Sequence, residues 1–119
     1  MINLPPTVRI FLATAPADMR RGFDGLASLT TSVIGENPLS GHLFVFRNRR
    51  GDRLKILYWD RDGLALWTKR LERGVFRFPT PQSHRVEVTP AELAAILEGI
   101  DLKQARRQQR YVLPAATPS

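Results

Sequence analysis

The sequence predicts an α+β domain: a mostly antiparallel sheet with a central β-hairpin and about three helices, in the order β-α-β-β-α-β-β-α. Three observations carry this. Short apolar runs bounded by Gly, Pro and Asp alternate with segments whose apolar residues recur at helical spacing. Two apolar runs flank Arg49-Arg50-Gly51, the pattern of a tight hairpin. Thr89-Pro90-Ala91-Glu92 is a complete helix start, with Thr as N-cap, Pro at the first position and Glu to close a capping box. The 119 residues, 43% of them hydrophobic, suffice for one domain with its own core. That domain is expected over residues 1–102, with 103–119 a basic, then Pro- and Ala-rich tail.

The elements follow in order. Thr7 to Ala13 reads as a strand placed after Pro5-Pro6. Phe23, Leu26, Ala27, Thr30, Val33 and Ile34 then repeat at helical spacing, with Gly35 as a C-terminal cap; the helix starts either at Asp18 or near Gly22. His42 to Asn48 and Asp52 to Trp59 form the hairpin. A three-residue loop with Gly51 left-handed pairs Asn48 with Asp52 and sets Arg47 opposite Arg53. Phe44, Phe46, Leu54, Ile56 and Tyr58 then share an apolar face, whereas a slip by one residue would set Phe46 beside Lys55. After Asp60-Arg61-Asp62-Gly63, the spacing of Leu64, Trp67 and Leu71 predicts a short helix closed by Gly74. Val75 to Phe78 and His84 to Val88 read as strands. Leu93, Ile96, Leu97 and Ile100 give the last helix its buried face.

Charge is the strongest bulk signal. Eighteen basic residues stand against 11 acidic ones, for a net charge of +7, and fifteen of the eighteen are arginine, whose planar fork binds phosphate bidentately. Nucleic acid is the expected partner. No cysteine is present, so disulfides and thiolate metal sites are excluded, in keeping with a reducing cytoplasm. No apolar run approaches the roughly 18 residues of a membrane span, and no signal peptide opens the chain, so a membrane partner is not expected.

The candidate nucleic-acid contacts are Arg47, Arg49, Arg50, Arg53 and Lys55 on the hairpin, and Lys69, Arg70 and Arg73 on the back of the Leu64 helix. Directly opposed cations destabilise a sheet pair, so the hairpin calls for an anion. A phosphate backbone supplies one; so does Asp52 or another carboxylate of the fold. The helix cations equally suit the negative end of a helix dipole. Trp59 and Trp67 fit core positions better than base stacking, and Met19 to Gly22 reads as a phosphate nest or a plain turn.

Catalysis finds little support. Asp18, Asp24, Asp52, Asp60 and Asp62 all fall beside turns or helix starts, where Asp is common for its local hydrogen bonds. His42 and His84 have no metal-ligand spacing, and no phosphate-binding Gly-rich motif occurs. The chain is read as a non-enzyme needing no metal or cofactor.

One long block adds a resemblance. Residues 41–63 read Gly-His-Leu-Phe-Val-Phe-Arg-Asn-Arg-Arg-Gly-Asp-Arg-Leu-Lys-Ile-Leu-Tyr-Trp-Asp-Arg-Asp-Gly, and Lys69 to Gly74 read Lys-Arg-Leu-Glu-Arg-Gly. With Asp18 to Gly25 and Leu93 to Asp101, this stretch resembles the TnpB-type accessory proteins of the insertion-sequence-sixty-six family of bacterial transposable elements. These are distinct from the RNA-guided nuclease that shares the TnpB name. The similarity runs from about Val8 to Leu102, with Arg21 and Phe78 standing where the family pattern favours Lys and Trp. It implies an accessory role in transposition beside a separate transposase, and it carries over no active site. Three readings follow: a DNA-binding accessory factor; a protein adaptor for the transposase; and, least supported, a metal-dependent nuclease. Oligomeric state is not legible.

Overall fold

A computed structural model describes residues 5–79 and 82–99. Five strands form one sheet: β1 (Ile10–Ala13), β2 (Leu43–Arg47), β3 (Arg53–Asp60), β4 (Gly63–Arg70) and β5 (Arg85–Val88). Their order is β4-β3-β2-β1-β5, and every pairing is antiparallel except β1 with β2. That parallel pair is joined by helix α1 (Phe23–Leu29), which continues as a π-helical turn over Thr30–Ile34. Helix α2 (Pro90–Leu97) follows β5. The α+β class and the largely antiparallel sheet are as the sequence predicts, with two helices in place of three among the described residues.

Both faces of the sheet are covered, and this decides the hairpin register. On one face Ile10, Leu12, Leu43, Val45, Leu54 and Ile56 pack against Leu93, Ile96 and Leu97 of α2 and against Phe76. On the other, Phe11, Phe44, Phe46 and Leu57 pack against Leu26 of α1 and Ile34. Each fully buried aliphatic or aromatic side chain contributes roughly 1.5–3 kcal/mol, so two apolar faces outweigh one. β2 and β3 therefore pair as Phe44 with Leu57, Val45 with Ile56, Phe46 with Lys55 and Arg47 with Leu54. This is the one-residue slip from the expected register, which assumed a single buried face. Arg47 does not face Arg53. The loop has four residues, 49–52: the Asn48 amide donates to the Arg53 carbonyl at 3.1 Å, and the Arg53 amide donates to Asn48 Oδ1 at 3.0 Å. Gly51 is left-handed as expected, at φ 79°.

The predicted helix from Leu64 is instead strand β4. Arg61 and Asp62 form a two-residue turn, with Arg61 at φ 59°, and the chain returns along β3 from Asp60–Gly63 to Arg53–Arg70. The physical reason is that Leu64 and Leu66 pack on the α1 face while Trp67 and Leu71 pack on the α2 face. A helix would present one stripe; this segment feeds two cores. Residues 75–78, expected as a strand, run as irregular chain. Phe76 is buried among the α2-side core and its amide donates to the Gly51 carbonyl at 2.7 Å.

The helix ends are capped as the sequence suggests. Gly35, at φ 80°, donates its amide to the Thr30 carbonyl at 2.8 Å and closes the π turn. Thr89 Oγ1 accepts from the Glu92 amide while Glu92 Oε1 accepts from the Thr89 amide, a reciprocal capping box. Ile100 and the tail from Lys103 lie outside the described residues. Among those described, no helix is long and apolar enough to cross a membrane.

Candidate nucleic-acid interface

The eight cations singled out in the sequence divide between the two sides of the sheet. Arg47 and Lys69 point to the α2 side, the first half-buried and the second exposed, and each donates to a backbone carbonyl. Arg47 donates to the Phe76 carbonyl at 2.9 Å, and its guanidinium lies 4.1 Å from the centre of the Phe78 ring. Burial pushes its pKa down. Lys69 Nζ donates to the Leu97 carbonyl at 3.1 Å, placing a cation at the C-terminal end of α2.

Arg53, Lys55 and Arg70 fall on the α1 side. Lys55 is half-buried there, and its Nζ donates to the carbonyls of Met19 at 2.8 Å and Arg21 at 3.0 Å. It thereby pins the 18–21 turn against the hairpin. Arg53 and Arg70 are exposed and directly opposed in the β3–β4 ladder. The like-charge pair that the sequence suggested for Arg47 and Arg53 thus forms between Arg53 and Arg70. Glu72 reaches Arg70 at 3.6 Å from an exposed position, where screening leaves little attraction. Arg49 and Arg50 are exposed at the loop tip, and Arg73 is exposed beyond the end of β4.

These residues build two adjoining clefts. The first, about 470 Å³, is lined by Asp18, Arg20, Asn48, Arg49, Arg50 and Asp52 among others. The second, about 450 Å³, is lined by Lys55, Thr68, Arg70 and Glu72. Met19 and Arg53 line both, so the clefts form one continuous depression. Around it stand six basic side chains and three carboxylates. Two of those carboxylates are already engaged. Asp18 takes bonds from the Arg20 guanidinium and the Arg20 amide, which hold its carboxyl down at about 2. Asp52 accepts from Asn48 Nδ2 at 2.7 Å, which lowers its pKa, and nearby Arg50 and Arg53 lower it further.

Arg20 reaches the cleft from the Met19 to Gly22 stretch, which the sequence offers as a phosphate nest or a plain turn and which lies far from the hairpin along the chain. The available signal was Asp18 two residues before it, the spacing of a side-chain-to-amide turn; the Arg20 amide donates to Asp18 Oδ1 at 2.9 Å. Arg73 lines neither cleft. Trp67 packs against the α2-side core. His42 Nδ1 accepts from the Arg9 amide at 3.0 Å, a structural bond. Among the described residues, no three His, Asp or Glu side chains gather as a metal would require.

Fold and site together define a small basic α+β domain with exposed cations grouped around one depression. The chain belongs to the IS66 Orf2-like protein family, whose model matches residues 8–107. It is 43% identical to the uncharacterized protein y4hO of Sinorhizobium fredii strain NGR234, over 92% of this chain and 96% of that one. It is 40% identical to the uncharacterized protein y4jC of the same strain, over 91% and 92%. No solved structure matches it. The family makes it an accessory protein associated with insertion-sequence transposition.

Proposed function

We propose that this accessory protein is a non-catalytic DNA-binding factor that uses the double cleft on the α1 side of the hairpin and assists the element's separate transposase. The observation that carries the reading is the opposed pair Arg53 and Arg70, exposed in a depression that also holds Arg49 and Arg50. Cations opposed in a ladder cost roughly 0.2–1 kcal/mol, and a bound phosphate turns that cost into an attraction. The phosphodiester backbone offers such anions at regular spacing, and binding to it needs no particular base sequence.

The test compares two variants for duplex DNA binding at fixed low salt. In one, Arg49, Arg50, Arg53 and Arg70 are changed to Gln. In the other, Arg47→Met and Lys69→Met remove the same kind of charge from the α2 side. The first is expected to lose affinity at least about tenfold for each two phosphate contacts removed, the second to keep most of its affinity. Equal losses per charge removed, four in the first variant and two in the second, would assign binding to net charge and not to the cleft.

A further inference from the structure

The two edges of the sheet are built differently. β5 is short, four residues, and carries Arg85 and Glu87 among them, with Glu87 in a bidentate bond to Arg9. Short length and charge are the usual protections of an edge strand. β4 has neither protection through its centre. It runs eight residues in unbroken register, without proline or bulge, and its middle reads Leu64-Ala65-Leu66-Trp67. Among the described residues nothing pairs with its outer side.

Which backbone groups that edge offers follows from the ladder. The Leu71 amide donates to the Asp52 carbonyl at 2.8 Å, continuing the β3–β4 pairing by one step. Hydrogen-bonded and non-bonded pairs alternate in an antiparallel ladder, so odd-numbered β4 residues bond inward. The amides and carbonyls of Leu64, Leu66, Thr68 and Arg70 therefore face outward. The charges along the edge are also ordered. Asp60 and Asp62 stand at its start, Lys69 and Arg70 at its end, and apolar residues lie between.

We propose that β4 is a homodimer interface, in which a second copy of this chain adds its own β4 antiparallel to the first and makes one continuous ten-stranded sheet. An acidic start, an apolar middle and a basic end complement themselves only when reversed, which is what a two-fold axis does. With that axis at Leu66, Leu66 meets its own copy, Thr68 meets Leu64, and Arg70 meets Asp62 of the second copy. A parallel pairing would stack Lys69 and Arg70 on their own copies. The axis stands perpendicular to the sheet, so the α1 faces of both copies lie on one side. The interface stands whether or not the clefts bind DNA.

Sedimentation equilibrium of the full chain gives the test. The expected mass is twice the 13.5 kDa of one chain at micromolar to tens-of-micromolar concentration. Thr68→Pro removes an outward amide and leaves the β3 ladder intact; two such bonds lost per dimer weaken association about 30-fold. Charge reversal gives an independent check at exposed side chains. Arg70→Glu or Asp62→Arg alone is expected to weaken the dimer, and the double variant to restore it. A monomeric wild-type chain overturns the proposal. So does a dimer that Thr68→Pro and both single reversals leave intact, because its interface would lie elsewhere; failure of the double variant to recover overturns the register.

Discussion

Arg47 separates the structural cations from the exposed ones, and its replacement by alanine can be worked through in numbers. The side chain gives up a charge-assisted bond to the buried Phe76 carbonyl, at 2.9 Å, and its stacking over Phe78, at 4.1 Å. A hydrogen bond to a charged group contributes about 1.5–3 kcal/mol and a partly desolvated cation–π contact about 0.5–2. Burial of the charge opposes both, as the lowered pKa of the group records. The expected net loss is about 2 kcal/mol, or roughly 8–12 °C in Tm for a domain of this size. Urea denaturation followed by tryptophan fluorescence measures it, since Trp59 lies on β3 of the hairpin and Trp67 on the adjoining β4. Arg47→Met, which keeps the alkyl stem against Phe78, is expected to lose about half as much. DNA affinity of the folded variant is expected to stay near wild type. Stability within about 0.5 kcal/mol of wild type, together with a large loss of affinity, would refute the reasoning.

Three further outcomes are expected. Gly51→Ala forces a Cβ into a left-handed position at φ 79°, 3.3 Å from the Val75 Cβ, and is expected to cost about 1–2 kcal/mol by chemical denaturation. Thr89→Ala opens the capping box and is expected to cost about 1 kcal/mol, again by denaturation. Asp18 has a folded pKa near 2, below its ordinary value of 3.8, so its contribution is present above the ordinary value and is lost as pH falls toward 2. In Asp18→Asn, Tm is therefore expected to fall less between pH 5 and pH 2 than in wild type, and identical curves would remove the Arg20 contact from the account.

The sequence revealed what depends on local chemistry. The Thr89-Pro90-Glu92 start, the Gly35 cap and the left-handed Gly51 are each specified by the residues within a turn of them, and each is found in place. The hairpin register is not legible locally because it depends on what covers the sheet. Leu43 and Val45 are as buried as Phe44 and Phe46, a fact set by α2 and Phe76 arriving from distant chain. β4 departs from the sequence expectation for a related reason. Leu64, Trp67 and Leu71 match a helical stripe, yet Leu66 and the Arg61-Asp62 turn fit a strand that serves two cores. The site inherited both errors. The basic hairpin is legible, but the division of its cations between the two faces of the sheet is not, because strand parity decides it. That parity sends Lys69 to the end of α2 and Arg70 to Arg53.

The central claim, that the α1-side cleft binds the DNA backbone, is tested most directly by titrating duplex DNA at several salt concentrations. With Arg49, Arg50, Arg53 and Arg70 as contacts, log affinity against log salt is expected to fall with a slope of about −3.6 per bound chain. The variant with all four changed to Gln is expected to flatten that slope toward zero. Undetectable binding of wild type at low salt, or a slope that the four substitutions leave unchanged, would contradict the account.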